Sequence, residues 1–123
     1  MNRFRLVQAL LAALIGFGLA GPAYAQVNPF RSRVRGLTSV DMDMIIQAAR
    51  RLLDSPDLAN GSSSGWKNDQ TGNSGIVTVQ NTFRHQGMLC RKVSYQINFK
   101  ARPQPRQYTV NWCKTADGSW KID

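Results

Sequence analysis

The chain has 123 residues, with 16 Lys and Arg against 7 acidic residues, and a formal net charge of +9. That length excludes more than one ordinary domain beside a leader. All seven acids are Asp and His85 is the only histidine, so the composition argues against hydrolytic chemistry, which needs an acid/base pair or an activated nucleophile.

The elements begin with an expected export signal at residues 1–25. Arg3 and Arg5 supply a positive start, Leu6 to Leu19 is a nearly unbroken apolar run, and Ala23-Tyr24-Ala25 gives a small-x-small cleavage site before Gln26. The run is short for a membrane span, which needs about 20 residues. No cysteine follows it, since the only two are Cys90 and Cys113, so a lipoprotein anchor is not expected. The expectation is a periplasmic or cell-envelope protein with a net charge of about +7 once the signal is removed.

Residues 26–36 read as a flexible basic arm, with Arg31, Arg33 and Arg35 on alternate positions and Asn28-Pro29 and Gly36 against a paired strand. The domain proper is expected at residues 37–123. It opens with a helix from Ser39 to about Leu53. Thr38 is the N-cap, Asp41 sits at N3 as a capping-box acid, and Leu37 can staple onto Met42. Arg50 and Arg51 near the end suit the helix dipole. Met44, Ile45, Ala48, Ala49 and Leu52 form its apolar stripe, and Asp54-Ser55-Pro56 stops it.

Residues 60–75 are rich in Gly, Ser and Asn and read as a connection. Trp66 within it either folds back as a lid on the core or is displayed to a ligand. From Ile76 onward the period becomes two, predicting four strands: 76–84, 89–100, 107–114 and 119–123. Gln86-Gly87, Ala101 to Pro105 and Asp117-Gly118 supply the turns.

In an oxidising compartment Cys90 and Cys113 are expected to form a disulfide. Placing them opposite each other also sets Val93 against Val110 and Tyr95 against Tyr108, and puts the turn beside Pro103. The fold class is therefore α+β: one amphipathic helix packed on a four-stranded antiparallel sheet, with one disulfide.

Several elements then recur in a recognisable order: Trp66-Lys67-Asn68, Thr71-Gly72-Asn73-Ser74-Gly75, Val77-Thr78-Val79, Phe83, Gly87, Cys90-Arg91, Cys113 and Asp117-Gly118-Ser119-Trp120. Together they resemble the C-terminal domain of the rickettsial seventeen-kilodalton surface antigen and its proteobacterial relatives. Those proteins carry a lipoprotein signal and a glycine-zipper segment before the domain. Here no lipobox cysteine is present and nothing between Gln26 and Leu37 resembles a glycine zipper, so direct outer-membrane anchoring is not expected to carry over. The resemblance implies an envelope protein, with the outer membrane as its family setting and no catalytic residues to carry over.

No cofactor or metal is expected, because His85, seven Asp and two paired cysteines make a poor ligand set. The candidate binding surface is Trp66, Lys67, Arg84, Arg91, Lys92, Trp112 and Lys114, where cations beside aromatic faces suit an anionic envelope polymer, a lipid or an acidic protein. Peripheral membrane association fits this reading. Nucleic acid fits the charge but not the compartment. The bland alternative is that strand-face Lys and Arg only guard the sheet against edge pairing. The other functional class is a small periplasmic inhibitor or accessory protein that plugs an acidic cleft of a partner.

Overall fold

The structure, a computed structural model, describes residues 34–123. The expected signal and most of the basic arm lie outside the described residues. One helix, α1 (Ser39–Leu53), precedes five strands: β1 (Ser63–Lys67), β2 (Ser74–His85), β3 (Met88–Asn98), β4 (Arg106–Lys114) and β5 (Trp120–Ile122). The strands form one antiparallel sheet in the order β1-β2-β3-β4-β5.

The helix starts where its capping chemistry puts it. The Thr38 hydroxyl accepts from the Asp41 N–H at 3.1 Å, and the Asp41 carboxylate accepts from the Thr38 N–H at 3.0 Å, so two otherwise orphaned donors are satisfied reciprocally. Ile45, Ala48, Ala49, Leu52 and Leu53 are buried, and α1 packs on β1 and β2. Leu53 extends the expected stripe, while Met44 lies at its margin.

The sheet has five strands, not four. The added strand is β1, within the stretch expected to be a connection. Ser63, Ser64 and Gly65 are weak strand formers, so the pairing is made by tertiary context rather than propensity. Trp66 lies opposite Gly75, and a Cβ at Gly75 would sit 2.6 Å from the indole nitrogen and 2.3 Å from the Gln96 carbonyl oxygen. Only glycine admits the indole there, and burying it holds the edge strand in place.

Between β3 and β4 the register agrees with the sequence reading. Cys90 faces Cys113, Val93 faces Val110 and Tyr95 faces Tyr108, and the Cys90–Cys113 disulfide is formed with a Cα–Cα distance of 4.0 Å. The β2–β3 hairpin turns on Gln86 (φ 49°) and Gly87 (φ 77°), the two positive φ values that a tight hairpin of this hand requires.

A β-bulge in β2 between Val79 and Asn81 shifts the alternation by one residue. Thr82 then opposes Arg91 and Phe83 opposes Cys90. Val77, Val79, Val93, Tyr95, Ile97 and Trp112 form the buried face beneath the helix. Each fully buried aliphatic side chain there contributes about 1.5–3 kcal/mol.

Candidate functional site

The seven residues expected to form a binding surface do not come together as one. Trp66, Arg91 and Trp112 are 8%, 2% and 4% exposed, so they are corrected from surface to interior. The reason is strand parity: Arg91 and Trp112 are direct cross-strand partners and share the helix-covered face with Val93 and Val110. The Trp112 indole N–H donates to the Tyr95 hydroxyl at 2.8 Å, and burial pushes the Tyr95 phenol up to about 12 against that hydrogen bond.

Arg91 serves the helix. Its Nη1 donates to the carbonyls of Leu52 and Leu53, both at 2.7 Å, and Nη2 donates to Ser55 at 2.8 Å and Pro56 at 3.3 Å. These are the carbonyls a helix leaves unpaired at its C-terminus, where partial negative charge collects. Burial lowers the Arg91 pKa and the Asp54 charge opposes that shift. The guanidinium also lies 5.8 Å from the Trp120 ring centroid. Its Nε and the Thr82 hydroxyl on the paired strand are buried without a hydrogen-bond partner among the described residues.

The remaining four, Lys67, Arg84, Lys92 and Lys114, are exposed. Lys67 pairs with Asp69 at 3.6 Å, and the Lys114 ammonium stands 5.9 Å from the Trp120 ring centroid. The bulge separates the others. Lys92 alternates with Arg91 and projects from the face opposite the helix, whereas Arg84 follows the new β2 parity and shares the helix side with Lys114.

A buried polar hub that sequence reading missed ties the other end together. The Asp41 carboxylate, 0% exposed, accepts from Asn68 and Thr71 at 2.8 Å and from Asn73 at 3.0 Å, in addition to the Thr38 N–H. Burial alone would raise its pKa, but these four hydrogen bonds outweigh burial and hold it below the ordinary 3.8. Asn73 also donates to the Gly36 carbonyl and accepts from the Lys100 N–H, so the β1–β2 turn binds both the helix start and the end of β3. The signal was present in Asn68, Thr71 and Asn73, three amide or hydroxyl side chains close together in a turn, but their common acceptor lies about thirty positions away.

His85 Nε2 lies 3.6 Å from Asp123, both side chains exposed, a separation beyond hydrogen-bond reach. Among the described residues no group of three or more His, Cys, Asp or Glu side chains is gathered for a metal, and no helix is long and apolar enough to cross a membrane.

A family model described as 17 kDa outer membrane surface antigen matches residues 57–121. The chain is 30% identical over 83 residues to the 17 kDa surface antigen of Rickettsia prowazekii (strain Madrid E), covering 67% of this chain and 50% of that protein. It is 33% identical over 64 residues to those of Rickettsia conorii and Rickettsia rickettsii, covering 51% of this chain and 39% of each. The chain thus spans half or less of the length of these relatives. No solved structure matches.

Proposed function

The chain belongs to the 17 kDa outer membrane surface antigen family, and from that premise we propose that it is a non-enzymatic protein of the cell envelope that binds an anionic envelope component through exposed cations. The observation that carries this reading is an imbalance of partners. Among the described residues Lys67 is the only Lys or Arg with a carboxylate within ion-pair distance, while Asp41 is spent on internal hydrogen bonds. Arg84, Lys92, Lys100, Arg102, Arg106, Lys114 and Lys121 are exposed and uncompensated.

Such a surface attracts anionic polymers, lipid headgroups or acidic proteins, with a range set by a screening length of about 8 Å at physiological salt. The family motifs support a non-enzymatic role in a specific way. Trp66, Asn68, Thr71, Asn73, Arg91 and Trp120 each hold one part of the fold to another. The export signal at residues 1–25 belongs to the same proposal and places the domain where anionic surfaces are abundant.

The test is capture from solubilised envelopes with the purified protein at low and high salt, identifying proteins and lipids together. Salt-sensitive retention of an anionic component that weakens in an Arg84→Gln, Lys92→Gln, Lys114→Gln variant is the expected result. Retention unchanged in both salt and variant would reject the electrostatic reading. Salt-insensitive capture of one acidic-cleft protein would assign the inhibitor role instead. Arg91 is left out of the variant because its charge is internal.

A further inference from the structure

We propose that the recess between the β1–β2 turn and the β3–β4 turn is a phosphate-group site formed by Lys100 and Arg102. The proposal rests on the anionic-partner reading above and gives it a location outside the expected surface. The recess has a volume of about 620 Å³ and is lined by Gly36, Thr71, Asn73, Phe99, Lys100 and Arg102, among others.

Two features set it apart from scattered surface charge. First, both cations are held by packing, Lys100 through its aliphatic stem and Arg102 through the face of its guanidinium. The aliphatic chain of Lys100 lies across Gly72, where an added Cβ would meet Lys100 Cδ at 2.5 Å and Cβ at 3.1 Å. The Arg102 guanidinium lies 4.7 Å from the Phe99 ring centroid, a stacking that leaves its in-plane N–H donors available. Gly36 packs against the Phe99 ring, where a Cβ would sit 3.2 Å from it, and its φ of +99° also disfavours any residue with a side chain. The two cations are therefore partly ordered before a ligand arrives, which lowers the entropy lost on binding.

Second, the rest of the polar lining is already used. The Thr71 hydroxyl donates to Asp41 and accepts from the Asn73 N–H, and the Asn73 side chain is engaged with Gly36, Asp41 and the Lys100 N–H. Asp41 lies behind this wall, and its charge is taken up by four donors. Neither Lys100 nor Arg102 has a carboxylate within ion-pair distance among the described residues. A fork of guanidinium donors and a compact ammonium on residues lining one recess suit the several oxygens of a phosphate group better than a single neutral acceptor.

The ligand class is a phosphate group, supplied free or as a lipid headgroup. The experiment is a nuclear magnetic resonance titration of the purified protein with inorganic phosphate at low ionic strength. Binding to neutral vesicles, with and without phosphatidate, is measured alongside it. Expected are saturable amide shifts confined to residues 71–73 and 99–102, about tenfold or more weaker in Lys100→Gln, Arg102→Gln and unchanged in Arg84→Gln, Lys92→Gln. Phosphatidate-dependent vesicle binding with the same variant pattern assigns the site to a headgroup. Phosphate shifts without vesicle binding assign it to a free or sugar-borne phosphate. Vesicle binding that tracks Arg84 and Lys92 while the recess amides stay still overturns this site and leaves the general reading standing. The absence of both responses overturns the two together.

Discussion

Arg91 Nη1 donates to the Leu52 carbonyl at 2.7 Å across 39 positions of sequence. That bond joins the middle of the sheet to the last turn of the only described helix. A charged donor buried against helix-end carbonyls is stronger than a neutral hydrogen bond, and its removal leaves several acceptors unsatisfied.

Arg91→Gln is therefore expected to lower unfolding stability by about 3 kcal/mol or more. Arg91→Lys should recover only part of this, because one ammonium cannot reach four carbonyls as a planar fork does. Urea unfolding of the two variants measures the difference. A loss below about 0.5 kcal/mol, the ordinary range for a surface substitution, would contradict the capping role.

Asp41 sets the acid limit. Its folded-state pKa is depressed below 3.8, so its contribution is fully present above that value and is lost as pH falls through the folded value. Stability is expected to decline as pH drops below about 4. Asp41→Asn should remove much of that decline and cost about 3 kcal/mol at neutral pH, because an amide cannot accept from all four donors. Thermal unfolding from pH 2 to 7 for both proteins checks the slope and the offset.

Gly75 is the glycine of the Thr71 to Gly75 motif that a side chain cannot enter. A Cβ there meets backbone oxygen at 2.3 Å and the Trp66 indole at 2.6 Å, and neither neighbour is a flexible side-chain end. Gly75→Ala is expected to displace Trp66, detach β1 and lower stability by about 2–3 kcal/mol. A red shift of tryptophan emission in the folded variant reports the displaced indole.

The disulfide between Cys90 and Cys113 closes a loop with a sequence separation of 23. The chain-entropy model gives about 3 kcal/mol for a loop of this size. The purified protein should show no free thiol before reduction, and Cys90→Ala, Cys113→Ala should lower the unfolding free energy by about that amount, read as a lower urea midpoint. Two thiols that react with an alkylating agent before reductant is added would contradict the bond.

Local chemistry determined much of the outcome. The helix bounds were legible because Thr38 and Asp41 form a capping box within four residues, and Asp54-Ser55-Pro56 cannot continue it. The β3–β4 register was legible because Cys90–Cys113, the apolar alternation and the Pro103 turn all satisfy one pairing. Tertiary structure alone decided three things. β1 exists because Gly75 admits Trp66, although its own residues favour no strand. The β2 bulge after Val79 reassigned Arg84 to the helix side, and no turn residue in the sequence marks it. Strand parity already put Arg91 on the helix-covered face, but what lets it and Asp41 stay charged inside is helix-end carbonyls and turn amides that supply their hydrogen bonds from about 30 to 39 positions away. Periodicity and capping are readable over a few residues, whereas the cost of burying a charge depends on partners that only the folded chain brings within 3 Å.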